Sequence, residues 1–304
     1  MPRQDADFDE TDLTFISNLA AIGDSYSAGI GAGDRLGNIG QALDKQSDWA
    51  CSRYDHSYPY LVYGDPRFGD GYPNFQFLSC SGAVTVDVLE HQIPNLNGNQ
   101  DAIMLSISGN DVELTNILNQ CIYQWAVFNW EQVAVAEIAS KFKDKYDWAA
   151  EYDFFPLGRG CDGQLSRTAD LIASSAFSSS LDAVLSAAKA KLASGGKIYW
   201  TGYAKFFAED LSSDCDSVTW TTWIHVSGLQ SQPTQYLTSD HRRTMNSLVD
   251  QVNAQLAAAA ERAGDSVIFV NYNRYVSEFG SPRDGLGAGL GWDGRARGVV
   301  LKCL

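Results

Sequence analysis

Five short apolar segments, each running into small polar residues, constrain the fold of this 304-residue chain more than any other feature. They are Leu19–Gly23, Phe75–Ser79, Ala102–Ile107, Lys197–Thr201 and Ser266–Val270. Their length and their lack of a sustained apolar–polar alternation are typical of strands that are buried on both faces. A parallel sheet is therefore the expected scaffold, and the chain between the strands has to supply crossover connections.

Helical patterns separate several of these strands. Apolar residues from Phe177 to Leu192 recur at the spacing of one helix face, and Gly195 and Gly196 are the predicted stop. A second helix is predicted from an N-cap at Ser239 to the neighbourhood of Gly264. Alternating strands and helices predict one open, doubly wound α/β sheet of about five parallel strands with helices on both faces.

The charge of the chain excludes some classes of partner. It contains 22 Lys and Arg against 37 Asp and Glu, a formal net charge of −15. Such a chain repels polyphosphate and anionic membrane surfaces, so we expect no nucleic-acid partner. No segment approaches the ~20 consecutive apolar residues of a membrane span. The first residues, MPRQDADFDETD, lack the features of a secretory signal, so either the protein is not secreted or its signal lies outside this sequence.

The six cysteines show neither a Cys-x-x-Cys pair nor a metal-ligand spacing with histidine. Their even number and wide spacing suit disulfides, and buried free thiols are the alternative. The favoured pairs are Cys51 with Cys80 and Cys121 with Cys161, although the sequence leaves the connectivity undetermined. That choice would leave Cys215 and Cys303 without an assigned partner.

Polar, glycine-containing segments follow the first three strands and are the candidates for chemistry. Ser25 follows the first strand, Gly82 the second and Asn110 the third, so all three are expected at the carboxyl edge of the sheet, where open α/β sheets bind ligands. Ser25 is either a nucleophile or the N-cap of the next helix. The backbone N–H groups of Ser25 and Gly82 and the side-chain amide of Asn110 could together hold an oxyanion, whereas ordinary turn roles are the alternative for Gly82 and Asn110.

The same segments resemble the SGNH, or GDSL, superfamily of esterases and lipases, in particular its secreted fungal and actinobacterial members. The resemblance covers roughly residues 12–280 and rests on AAIGDSYSAGIGAGD, CSRYDHSYPYL, FLSCSGA and SISGNDVEL in that order. It implies a flavodoxin-like, three-layer α/β/α sandwich. It also implies hydrolysis of carboxylic esters by Ser25, with Gly82 and Asn110 completing the oxyanion hole and with no metal or organic cofactor. The implied partner is a small-molecule ester, an acyl lipid or an acylated sugar. A monomer and an extracellular location are expected.

One part of the family pattern is missing. Members carry their catalytic base in an Asp-x-x-His segment after the last strand, in a loop that would begin here at Tyr272. The four histidines are His56, His91, His225 and His241, and none has Asp three positions before it. A solvated role is expected for His241, a polar loop role for His56 and a buried hydrogen-bonded role for His225. The chain as written is therefore expected to be crippled or inactive.

Two regions depart from the α/β pattern. An aromatic-rich insertion spans about residues 120–162, and its core, 121–155, is either a helical hairpin with its own small core or a lid over an active site. Residues 281–304 form a Gly-rich, basic tail, which we expect to replace the genuine ending of an esterase domain at 1–280 through a frameshift, a retained intron or an alternative exon.

Rival interpretations divide into those that the sequence excludes and one that it leaves open. No serine has glycine at both positions that the Gly-x-Ser-x-Gly elbow of α/β-hydrolases requires. A formal Gly-x-Gly-x-x-Gly match at Gly289, Gly291 and Gly294 follows no predicted strand. The remaining rival is a non-catalytic lipid- or carbohydrate-binding protein that keeps the esterase cleft without the base.

Overall fold

A computed structural model describes residues 11–122, 160–205, 207, 213–219 and 234–273 of the chain. The aromatic insertion beyond residue 122, His225 and the tail 281–304 lie outside the described residues.

The described residues form a five-stranded parallel sheet in the order β2-β1-β3-β4-β5. The strands are β1 Asn18–Gly23, β2 Asn74–Phe77, β3 Gln100–Ser106, β4 Leu192–Thr201 and β5 Val267–Val270. Each overlaps one of the five apolar segments, so the predicted α/β class with about five parallel strands is confirmed. Because β1 and β3 are neighbours, the ends of both strands reach the same edge of the sheet.

Helices and tighter turns connect these strands. The α-helices are α1 Ser25–Ala28, α2 Tyr58–Tyr63, α3 Thr85–Asp87, α4 Leu114–Ile117, α5 Gly160–Ala173, α6 Ser175–Lys189 and α7 Ser239–Ala263. Val88–Gln92 and Leu118–Ile122 are π-helical turns that continue α3 and α4. Short 3₁₀ turns lie at Ile39–Gln41, Pro66–Phe68, Ile93–Asn95 and Ser213–Ser217.

Two predicted helix boundaries were wrong. Helix α6 ends at Lys189, and Leu192 starts β4, where it pairs with Gln100 of β3. Leu192 and Lys197 both pair with β3, so Gly195 lies inside a strand rather than at a helix stop.

At the other helix, Thr238 is the N-cap rather than Ser239. Its hydroxyl oxygen accepts a hydrogen bond from the backbone N–H of His241 at 3.2 Å, and its carbonyl accepts from that of Arg242 at 3.0 Å. The helix ends at Ala263, and Gly264 follows with φ +83°. The predicted end of this helix is therefore confirmed.

The central strands are buried on both faces. On one face, Leu19 and Ala21 of β1 pair with Ala102 and Met104 of β3, and Phe68 from the loop after α2 packs against them. On the opposite face, the fully buried side chains are Ala20, Ile22, Ile103 and Leu105. Burial of each large aliphatic side chain contributes about 1.5–3 kcal/mol, so both faces stabilise the sheet.

The chain forms two compact units that alternate along the sequence. Of the described residues, the first unit takes 11–110, 175–202 and 255–270, which include the whole sheet. The second takes 111–122, 160–174, 271–273 and those described within 203–254. No single helix in the described ranges has the length and apolar composition to cross a membrane.

Among the described residues, each unit contains one disulfide. Cys51 is bonded to Cys80 in the first unit and Cys121 to Cys161 in the second, so both favoured pairs are confirmed. The second bridge joins the described ends of the segment that contains the aromatic insertion.

Candidate functional site

The end of β1 lies so close to the end of β3 that only glycine fits at position 23. Gly23 has φ +131°, and a Cβ at this position would lie 1.9 Å from the carbonyl oxygen of Ser106. The next residue, Asp24, donates its backbone N–H to that same oxygen at 2.8 Å. The absence of a side chain at Gly23 thus lets the chain leave the sheet directly beside β3.

Ser25 is the first residue of α1 and is partly exposed. The N-cap of this helix is Asp24, whose carboxylate accepts from the N–H of Tyr26 at 3.0 Å and from the Ser106 hydroxyl at 2.9 Å. The sequence allowed Ser25 to be either a nucleophile or a cap. Because Asp24 is the cap, the Ser25 hydroxyl is not needed to complete the helix.

Gly82 lies in an exposed turn that is tied to the end of β1. The N–H of Cys80 donates to the Gly23 carbonyl at 2.9 Å, and the N–H of Ala83 donates to the Cys80 carbonyl at 3.1 Å. Gly82 itself has φ +87°, and no atom lies within 4 Å of the position of a Cβ. Among the described residues its N–H has no hydrogen-bond partner, so the group remains available to a ligand.

Asn110 joins the third segment to the second. Its side-chain Nδ2 donates to the carbonyl of Ala83, the residue after Gly82, at 2.9 Å. A primary amide has two N–H donors, so this bond leaves one for a ligand. Two residues earlier, Ser108 is buried with φ +119°, a strained conformation for a residue other than glycine. The structure therefore brings the segments of Ser25, Gly82 and Asn110 together through backbone and amide contacts.

Gln92 supports the site, although sequence reasoning did not single it out. Its buried amide accepts from the Gly23 N–H at 2.6 Å through Oε1 and donates to the Gly23 carbonyl at 2.8 Å through Nε2. Gln92 therefore fixes both the N–H and the carbonyl group of Gly23, two residues before Ser25. Nothing in the helical pattern around Gln92 distinguishes it from a surface glutamine, so the sequence carried no signal for this role.

Arg53 supports the second segment in a similar way. Its Nε donates to the carbonyl of Ser79 at 2.7 Å, and its Nη1 forms an ion pair with Asp48 at 2.7 Å. Only 6% of the Arg53 side chain is exposed, so the guanidinium is held where it supports the turn before Gly82. Arg53 lies in the motif CSRYDHSYPYL. The sequence therefore pointed to this segment, but it did not predict the hydrogen bond from Arg53 to Ser79.

The described histidines are His56, His91 and His241. His56 lies in an exposed loop, as expected, with its Nδ1 2.6 Å from Asp55. The side chain of His241 is 19% exposed, and its solvated role stays a prediction. Its Nε2 lies 2.9 Å from Asp162 and its Nδ1 3.1 Å from the Tyr236 carbonyl, both within the second unit.

Comparisons with known proteins show what this chain is similar to. A model of the GDSL-like Lipase/Acylhydrolase family matches residues 21–290. Lipase 1 of Streptomyces coelicolor is 32% identical over 117 residues, which are 38% of this chain and 39% of that relative. The chain thus spans less than two-fifths of the length of the curated relatives that it matches.

Two solved structures share the fold. The extracellular lipase from Streptomyces rimosus is 23% identical with a TM-score of 0.57, and phospholipase A1 from Streptomyces albidoflavus NA297 is 20% identical with the same TM-score. Each comparison covers 86% of this chain and 82% of the other. They support the three-layer α/β/α sandwich that was predicted.

Proposed function

Because this chain belongs to the GDSL-like lipase/acylhydrolase family, we propose that it hydrolyses carboxylic esters with Ser25 as the nucleophile. The observation that carries the proposal is the linkage of three segments at one sheet edge. Asn110 contacts the residue after Gly82, and Cys80, two residues before Gly82, contacts the end of β1 next to Ser25.

The chemistry assigned to these residues is acyl transfer. The Ser25 Oγ attacks the ester carbonyl carbon, and the carbonyl oxygen takes the developing negative charge. The N–H groups of Ser25 and Gly82 and the second N–H of Asn110 are the proposed donors to that oxygen. Collapse of the tetrahedral intermediate expels the alcohol and leaves an acyl-enzyme, which water then hydrolyses. Neither step requires a metal or an organic cofactor.

The proton of Ser25 needs an acceptor, and here the chain departs from its family. The sequence contains no Asp-x-x-His segment. A positioned general base contributes typically 10²–10⁴-fold in rate, and without it only substrate binding and the oxyanion hole remain. We therefore propose that the chain as written is a strongly weakened esterase and that residues 281–304 stand where an active family member carries its base.

The proposed substrates are acyl lipids, since the two solved relatives are named a lipase and a phospholipase A1, and acylated sugars are the second substrate class. An extracellular location fits the two disulfides, which persist in oxidising compartments. The S. rimosus lipase is itself described as extracellular.

The test is hydrolysis of p-nitrophenyl butyrate by three chains. They are the chain itself, its Ser25→Ala variant, and a version in which residues 281–304 are exchanged for a segment carrying Asp-x-x-His. We expect slow turnover by the first, none by the second, and a gain of about 10²–10⁴-fold by the third. The matched control is the same segment with Ala in place of its His, which should return the rate to that of the unmodified chain.

Other results would contradict the proposal in different ways. Turnover that survives Ser25→Ala would remove Ser25 as the nucleophile. Saturable binding of an ester without turnover in any version would instead support the non-catalytic binding protein.

A further inference from the structure

A surface groove of about 390 Å³ lies beside α2 in the first unit. Its lining consists of Asp55, Tyr60, Leu61, Tyr63, Gly64 and Tyr72. None of these residues takes part in the proposed ester hydrolysis, and the groove has no role so far.

Three tyrosine rings form the walls of this groove. The ring of Tyr63 is inclined by 63° to that of Tyr60, with centroids 6.1 Å apart, and by 50° to that of Tyr72, with centroids 5.7 Å apart. Phe75 stacks on Tyr63 at 4.8 Å and supports it from the sheet. Tyr72 is 57% exposed, so its ring is accessible to a ligand. The groove is thus a preformed aromatic recess that opens to solvent.

One carboxylate completes the lining. Asp55 accepts hydrogen bonds at Oδ1 from His56 Nδ1 at 2.6 Å and from the backbone N–H of Asp34 at 2.8 Å. The bond from His56 and then that from Asp34 lower the pKa of Asp55 below its ordinary value, so the group is anionic at neutral pH. Its side chain remains 31% exposed, which leaves it accessible to a ligand.

The charges of the groove discriminate between possible occupants. No Lys or Arg is among its lining residues, and the chain carries a net charge of −15, so an anionic ligand is repelled. An acyl chain would cover the Asp55 carboxylate without offering it a partner, which is costly. A sugar could stack on the tyrosines and donate a hydroxyl hydrogen bond to Asp55, so the experiment includes sugars as competing ligands.

We propose that this groove binds a quaternary ammonium group, with its methyl groups against the rings of Tyr60, Tyr63 and Tyr72 and its charge near Asp55. Aromatic faces attract a cation through their quadrupole, and recognition of quaternary ammonium ions by aromatic cages is the established use of this interaction. A primary ammonium ion keeps a tight hydration shell. A trimethylammonium group makes no hydrogen bonds to water through its methyl groups, so it enters an aromatic recess at lower cost. The proposal goes beyond ester hydrolysis and does not depend on it.

The experiment is ligand-observed NMR of choline chloride with the full chain, following the N-methyl signal. The neutral control is 3,3-dimethyl-1-butanol, which has the same shape but a carbon in place of the charged nitrogen. We expect saturable binding of choline with a Kd on the order of 1 mM, typical of a small exposed cation site, and no saturable binding of the alcohol. Replacement of one cage residue, as Tyr72→Leu or Asp55→Asn, should weaken choline binding about five-fold.

The matched control variant is Tyr236→Leu, which removes another half-exposed loop tyrosine that does not line the groove. It should leave the Kd for choline unchanged, and circular dichroism of all variants checks their folding. Equal binding of choline and the alcohol would overturn the proposal in favour of an unselective apolar cleft. Binding of xylose or cellobiose that is lost in Tyr72→Leu, without binding of choline, would overturn it in favour of a carbohydrate platform.

A second arm distinguishes the source of the quaternary ammonium group. Sedimentation with phosphatidylcholine vesicles that is lost in Tyr72→Leu would identify a lipid headgroup. Binding of free choline without vesicle binding would identify a small soluble cation. Both results support the site, whereas absence of binding in both arms rejects it.

Discussion

The two disulfides permit a paired test of how the candidate site is held together. The perturbation is the double replacement Cys51→Ser with Cys80→Ser, and its control is Cys121→Ser with Cys161→Ser. The first bridge closes a loop with a sequence separation of 29 and the second a loop with a separation of 40. Loop-closure entropy then gives a loss of unfolding free energy of about 3.6 kcal/mol for the first and about 3.9 kcal/mol for the second.

The two losses are nearly equal, but their local consequences should differ. Ser81 donates its N–H to the Cys51 carbonyl at 2.9 Å, and Cys80 donates to the Gly23 carbonyl at 2.9 Å. Removal of the first bridge loosens the turn that carries Gly82, because Cys51, which accepts the hydrogen bond from Ser81, is no longer covalently joined to Cys80. The second bridge belongs to the other compact unit and is not part of this turn.

Two measurements separate the global effect from the local one. Urea unfolding without reductant, followed by tryptophan fluorescence, should show similar losses of unfolding free energy for the two variants. Amide hydrogen exchange under native conditions should accelerate at Ser81 and Ala83 in the first variant only. Equal acceleration in both variants, or a loss of less than about 1 kcal/mol in the first, would refute the reasoning.

The remaining predictions concern single side chains. Gln92→Leu should lower the unfolding free energy by about 1–3 kcal/mol in urea titrations, because it leaves the buried Gly23 N–H without a partner, and a loss below about 0.5 kcal/mol would contradict this role. The Arg67 side chain, together with its backbone N–H, lowers the pKa of Asp65 from 3.8 to about 2, so the stabilisation that Asp65 provides is present above pH 4 and is lost as the pH falls towards 2. Carboxyl NMR should therefore find a midpoint near 2, and Arg67→Ala should return it towards 3.8, whereas an unchanged midpoint would count against the contact. In the version with a restored base, Asn110→Ala should lower kcat by about 10²–10³-fold with little change in KM, and a change confined to KM would argue for a role in binding alone.

Much of the fold followed from local pattern. Four of the five strands were predicted to within two residues at each end, because a buried parallel strand is a short apolar run whatever its neighbours are, whereas β4 begins five residues before the predicted Lys197. The end of α6 was predicted wrongly, because local pattern did not decide the conformation of Leu192. Leu192 fits both the spacing of a helix face and the start of a strand, and its pairing with Gln100 of β3 decides between them.

Part of the candidate site was also predictable. The carboxyl ends of parallel neighbouring strands meet at one edge, so the positions of Ser25, Gly82 and Asn110 after three strands predicted that they converge. The hydrogen bond from Asn110 to the Ala83 carbonyl agrees with that prediction. The supporting side chains could not be predicted, since the Gln92 amide reaches a backbone 69 positions away in the sequence.

The sequence by itself thus determined the α/β class, the number of parallel strands and the family, because these depend on periodicity and on motifs a few residues long. Only the tertiary structure decided that Asp24 rather than Ser25 caps α1, that Gln92 holds Gly23, and that three tyrosines share a groove with Asp55. The contact of Gln92 with Gly23 spans 69 positions, and the Ser106 hydroxyl that supports Asp24 comes from 82 positions away. Such contacts exist only after the sheet has brought the chain together, so no local pattern encodes them.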